Sequence, residues 1–228
     1  MTIWIGSLLE GAQQARGAVA IIDVFRAFTT AAVVLANGAS RIIIVGAVDQ
    51  AMRLRAGGVG QVCLGEVGGS APPGFDFGNS PFEVSEVDFA RKTVIQRTSA
   101  GTQGIVAARS AERLYAASLV TASATARALL AQPADRISLV AMGSEAIARS
   151  DEDELCALHL RNRLEGRPGN PAAVRDVILA GGDVLRFHDP TRPYLNEKDV
   201  EIALDVDRYD FAIRVTMEDG LLVARREK

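Results

Sequence analysis

The sequence predicts an α/β protein with three layers, α/β/α, built on a mostly parallel, mixed sheet. Two patterns point to the parallel part: short runs rich in Val and Ile recur along the chain, and Ala-rich stretches of helical period separate them. A third observation sets the end of the chain apart, because Met217-Glu218-Asp219-Gly220 puts an Asp-Gly turn signal between two strand-like segments. A small C-terminal antiparallel hairpin unit is therefore expected.

The first candidate strand is 18–23, where Ala18-Val19-Ala20-Ile21-Ile22 is apolar on both faces, as a buried parallel strand requires. The others are 41–46, 61–66, 93–98, 114–118 and 136–142. Thr29 to Asn37 reads as a helix stopped by Gly38, a residue suited to the position after a helix end, and 48–56 and 101–112 follow the same pattern. A polar helix is expected over 151–165. Gly166-Arg167-Pro168-Gly169-Asn170-Pro171 breaks it, and Pro171 then opens another helix that runs to Ala180. The segments 208–216 and 220–226 form the hairpin. The reading is one domain over 1–228, with 183–228 as the only stretch that could stand as a small lobe.

Composition limits the partners. A net charge of −3 gives no reason to expect nucleic acid or an anionic membrane, so an anionic ligand would have to be held by local arginines. Cys63 and Cys156 lack metal-ligand spacing and lie in apolar segments, which fits a reducing compartment. The Met1 segment has no basic leader and no apolar run approaches membrane-span length, so a cytoplasmic protein is expected.

Chemistry-bearing residues gather at the expected strand ends, where open parallel sheets bind ligands. Asp23 and Glu66 are the first candidates for holding Mg²⁺. Asp23 could equally cap the helix that follows it, and position alone leaves those two readings even. Arg26 and Arg97 could fork onto a phosphate or sulfonate. Thr98-Ser99-Ala100-Gly101-Thr102 has the composition of an anion-binding turn and equally of an ordinary βα turn. In the Gly-rich loop Gly74-Phe75-Asp76-Phe77-Gly78-Asn79-Ser80-Pro81, Asp76 and Asn79 are weighted above Ser80, which with Glu83 matches a capping box. Glu152 and Asp153 open a helix, where acids meet its dipole favourably.

Missing signatures limit the options. No Gly-x₄-Gly-Lys-Ser/Thr loop is present, which argues against a P-loop nucleotidase; a nucleotide-binding α/β protein stays open as an alternative on the same sheet, although no Gly-x-Gly-x-x-Gly follows the first strand. His159 and His188 are too few for a His-rich dinuclear centre.

Taken together, Ile22-Asp23-Val24-Phe25-Arg26-Ala27, Gly65-Glu66, the Gly74–Pro81 loop, Arg97-Thr98-x-x-Gly101-Thr102 and Glu152-Asp153 resemble the 2-phosphosulfolactate phosphatase (ComB-like) family. The likeness runs from about residue 3 to the hairpin, and the Gly74–Pro81 motif is its most specific part. It implies a Mg²⁺-dependent hydrolysis of (2R)-2-phospho-3-sulfolactate, a step toward coenzyme M. The implied catalytic residues are Asp23, Arg26 and Asp76, with Asn79, Arg97, Thr98, Ser99, Gly101 and Thr102 around the substrate. The implied metal ligands come from Asp23, Glu66, Asp76, Glu152 and Asp153. Two positions depart from the family pattern: Ala100 stands where Asn is usual, and Leu158 where Gly is usual. A homodimer is the expected assembly. A non-catalytic protein that binds small anions would keep the same arginines.

Overall fold

A computed structural model describes residues 1–228. The elements run β1 (Thr2–Ser7), α1 (Leu8–Gln14), β2 (Ala18–Ile22), α2 (Ala27–Ala36), β3 (Arg41–Ile44), α3 (Val48–Ala56), β4 (Val62–Gly65), β5 (Thr93–Arg97), α4 (Gly101–Ala107), β6 (Arg113–Ala117), α5 (Ala122–Leu130), β7 (Arg136–Ala141), α6 (Asp151–Leu164), α7 (Pro171–Ala180), α8 (Glu197–Ala203), β8 (Ala212–Glu218) and β9 (Leu221–Glu227). All nine strands join one sheet in the order β1-β7-β2-β6-β8-β9-β3-β5-β4. The mixed α/β architecture expected from the strand–helix alternation is present, as is the antiparallel C-terminal hairpin. The hairpin's location is new. β8 pairs antiparallel with β6, and β9 pairs antiparallel with β3, so the hairpin joins two parallel groups, β1-β7-β2-β6 and β3-β5-β4. Residues 183–228 thus do not stand apart as a lobe; their hairpin is the middle of the sheet.

The sheet curls around α2. Every residue from Ala27 to Leu35 is buried, and a helix apolar on all sides has to sit inside protein. In a flat sheet β2 and β5, five places apart, would be about 24 Å from each other. Yet Gly101 N, just beyond β5, donates to the Asp23 carboxylate just beyond β2, and Gln96 Nε2 of β5 donates to Ala27 O. Curling brings the two strand ends together over the N-terminus of α2. On the concave side, Val19 and Ile21 of β2 pack in a core of 31 residues that includes α2. On the other face, Ala18, Ala20 and Ile22 pack in a core of 23 with α5 and α6. A smaller cluster, Ile43, Cys63 and Ile95 among it, lies beneath Ala51 of α3. No helix is long and apolar enough to cross a membrane.

The helix-start signals hold at α7 and only in part at Ser80. Asn170 Oδ1 accepts from Ala173 N with Pro171 at the first turn of α7. The Ser80–Glu83 capping box is half made: Glu83 N donates to Ser80 Oγ, yet only turns follow. The Glu83 carboxylate accepts from Gly78 N instead of closing the box, and Ser80 Oγ donates to Asp199.

Gly65 ends β4 at φ +138°, where an added Cβ would run into the Arg97 carbonyl oxygen of the paired strand. Gly65→Ala is therefore expected to cost about 3 kcal/mol of stability, read as a lower urea midpoint, because both strain and a broken strand end are imposed at once.

Candidate active site

A cavity of about 100 Å³ opens where the curled sheet gathers its strand ends. Asp23 follows β2, Glu66 follows β4, Ser99 and Ala100 follow β5, and Gly143 follows β7; all line it. The Asp23 carboxylate is 5% exposed and held from two sides, Oδ1 accepting from Ala27 N at 2.9 Å and Oδ2 from Gly101 N at 2.8 Å. Arg26 holds the N-cap position of α2, but the Asp23 carboxylate takes the helix's first N–H and so serves it as a cap, and it also faces the cavity. Burial pushes its pKa up to about 6 against the pull of the Ala27 N–H, and the negative charge of Glu66 adds to the rise. Gly101 is required by this approach, since a Cβ there would sit 2.8 Å from Asp23 Oδ2.

Glu66 ties two turns to each other. Its carboxylate accepts from Ser99 N and Oγ and from Gly69 N, so it fixes the wall of the cavity as well as charging it. Asp153 lies behind the wall, accepting from Val24 N at 2.7 Å and Gly143 N at 2.9 Å, and so locks the end of β2 to the end of β7. Burial holds its pKa well above the usual carboxylate range, with the charges of Asp23 and Glu152 adding to it. Glu152 accepts from Arg186 Nη2 at 3.1 Å, while its Oε2 has no partner. Burial raises it to about 7 against the pull of Arg186.

Three arginines line the cavity: Arg26, Arg186 and Arg192. Arg26 is 4% exposed and donates through Nη1 to Tyr194 O at 2.8 Å and Asp199 Oδ2 at 2.9 Å. Arg186 is aimed by Glu152, and its Nε has no partner. Arg192 pairs loosely with Asp189 at 3.4 Å. Asn79 is buried against the same cavity with its side-chain Oδ1 unpartnered, an orphan that a ligand can satisfy.

The remaining candidates are not in the cavity wall. Arg97 is spent on the Glu66 and Gly46 carbonyls and Ser99 Oγ, bracing the turn that carries Glu66. Thr98 and Thr102 bond to each other, Thr102 Oγ1 accepting from Thr98 N and donating to Thr98 O. Asp76 accepts from Cys63 N and pairs with Arg55, fastening the loop to β4 and α3, and does not line the cavity. No three His, Cys, Asp or Glu side chains converge as a ready-made metal cluster, so the five acids read as metal ligands do not assemble into one set. Glu66 and Asp23 alone among them line the cavity. Arg186, Arg192 and Tyr194 were not identified from the sequence; they lie in a stretch that is mostly turn and 3₁₀ helix, with no periodicity to mark a face. Ala100 lines the cavity and Leu158 lies half-exposed on α6.

The family model for 2-phosphosulpholactate phosphatase matches residues 6–216, a span that carries every strand end just described. The chain belongs to the 2-phosphosulpholactate phosphatase family. Family relatives include a Bacillus subtilis protein, 28% identical over 88% of this chain and 87% of its own length. A Synechococcus protein is 34% identical over 74% and 70%, and a Deinococcus radiodurans protein 38% identical over 55% and 52%. The match therefore covers only about half the length of the Deinococcus relative. Each is named a probable 2-phosphosulfolactate phosphatase. The 2-phosphosulpholactate phosphatase family is one of phosphoric monoester hydrolases, and this member brings to that class a cavity of buried acids faced by arginines.

Proposed function

We propose that the enzyme hydrolyses (2R)-2-phospho-3-sulfolactate, or a closely related phosphorylated hydroxy acid, to the hydroxy acid and phosphate, with Mg²⁺ as cofactor. The observation that carries this reading is the convergence of Arg26, Arg186 and Arg192 on one small cavity beside Asp23. One phosphate does not call for three guanidinium groups. A substrate with further acid groups on the same short carbon chain does.

The residues fit the metal in kind. Mg²⁺ favours one or two carboxylates with water and substrate phosphate completing its shell, and Asp23 and Glu66 are two hard oxygen donors on one cavity, with the Glu66 charge raising the cost of ionising Asp23. Those two residues would hold it, and when bound it supplies positive charge against the phosphate oxygens. The chain's own groups do the rest. Asp199 and Glu152 aim Arg26 and Arg186, so that the cations meet the anionic ester without first losing side-chain freedom. The two N–H donors to Asp23 fix the carboxylate in one orientation, from which it attacks phosphorus or takes the proton of an attacking water. The buried free thiols Cys63 and Cys156 suit a cytoplasmic setting.

The test is phosphate release from phosphosulfolactate and a panel of phosphorylated hydroxy acids, with Mg²⁺ and with EDTA. Release is expected only with the metal, and fastest from esters that carry a second acid group. A folded protein that releases phosphate from none of them would overturn the reading. A rapid acid quench during turnover of a ³²P-labelled ester separates the two attacks, because an aspartyl-phosphate leaves phosphate covalently on the protein and direct attack by water leaves none.

A further inference from the structure

A second cluster of cations lies at the opposite end of the sheet. Arg113 opens β6, Arg214 sits beside it on β8, Arg127 extends from α5 and Lys228 follows β9; together they line a cleft of about 410 Å³. Glu227 is the only side-chain carboxylate in that lining; it accepts from Tyr115 Oη at 2.9 Å and lies 3.8 Å from Arg214 Nη1, a long pairing that leaves the cations in excess. In a chain of net charge −3 this is a marked local excess of positive charge.

The arginines are also under-satisfied. Arg113 is 7% exposed, and its Nη2 donates to Gln132 O at 2.8 Å while Nη1 has no partner. Arg214 donates through Nη1 to Tyr115 Oη at 2.7 Å, and its Nε has none. A buried N–H left unpaired is destabilising, and the like charges around it add to that cost. An anion in the cleft would supply the missing acceptors and relieve the repulsion together.

We propose that this cleft is a second anion site that takes an oxyanion of the phosphate class, either free phosphate or the phosphate of a small ester. A tetrahedral oxyanion suits guanidinium forks arriving from several sides. The wall of Ala124, Ala128 and Ala131 leaves apolar room next to the cations for a small organic group. The site is separate from the reaction cavity. Arg113 begins β6, whereas Ala117 at its far end accepts from Asp23 N, and the intervening strand rises roughly 13 Å.

Equilibrium dialysis with radiolabelled inorganic phosphate tests this directly. The wild type is expected to bind a second phosphate beyond the one in the reaction cavity. Arg26→Ala removes the first class of site and leaves the second. Arg127→Glu does the reverse: the residue is exposed, so the fold should survive as checked by thermal melting, and affinity at the second site should drop roughly tenfold or more through charge reversal. Phenylphosphonate distinguishes the sources, since competition at the second site marks an ester ligand and lack of competition marks free phosphate. A single phosphate per chain, or a second site that Arg127→Glu leaves unchanged, would overturn the proposal. Because binding is the readout, the result stands whether or not phosphosulfolactate is the substrate.

Discussion

Asp23→Asn is expected to lower phosphate release by about a thousandfold or more while the protein remains folded. The substitution keeps the shape of the side chain and removes its charge. An amide has one acceptor oxygen where the carboxylate has two, so either Ala27 N or Gly101 N must face an NH₂ group and lose its partner. That loss costs about 1–3 kcal/mol. The cost is offset in part, because the carboxylate is itself burdened by burial and by Glu66, and an amide escapes both. Stability should thus change little, and activity greatly. The balance matters because the sequence left two readings of Asp23 level, a helix cap and a reacting group, and the geometry makes it both. A variant that stays within tenfold of the wild-type rate would reduce Asp23 to the cap alone.

The strand–helix alternation and the strand-end acids were legible because they are local. The run Ala18–Ile22 declares itself buried on both faces, and Asp23 and Glu66 are the next residues after their strands. What could not be read is what depends on curvature and distant pairing. Nothing near Met217 or Gly220 says that the hairpin will lie between β6 and β3 rather than at an edge, since pairing partners are chosen by the shape of the whole sheet. The same curvature decides which motif residues face the cavity. Arg26, Asn79 and Ser99 do, while Arg97, Thr98, Thr102 and Asp76 brace the turns and loop around it. Their residue types suit an anion site and a tight turn equally, and composition has no means to separate the two. Arg186 and Arg192 arrive from a segment far along the chain, with no motif to announce them.

Asp199 is the clearest case of a residue invisible in sequence and decisive in structure, and Asp199→Ala is expected to cost about 3–5 kcal/mol as well as activity. The carboxylate is fully buried and accepts from Arg26 Nη1, Ser80 Oγ and Phe82 N, joining α8 to the Gly74–Pro81 loop and to the start of α2. Removing it leaves the Arg26 guanidinium, 4% exposed, without its counter-charge and two further donors without an acceptor. Ser80→Ala, which removes one of the three bonds, should cost only about 1 kcal/mol. The double variant Arg26→Leu/Asp199→Leu separates stability from function. An apolar pair in place of a buried ion pair is often neutral in stability, so the double variant should regain the part of the loss that came from the unpaired Arg26 charge, while Ser80 Oγ and Phe82 N stay without their acceptor. It should regain none of the activity, because Arg26 is the group that Asp199 exists to aim. Urea unfolding together with phosphate release measures both. An Asp199→Ala protein with wild-type stability and rate would mean that Tyr194 O alone holds Arg26 and that α8 is only scaffold.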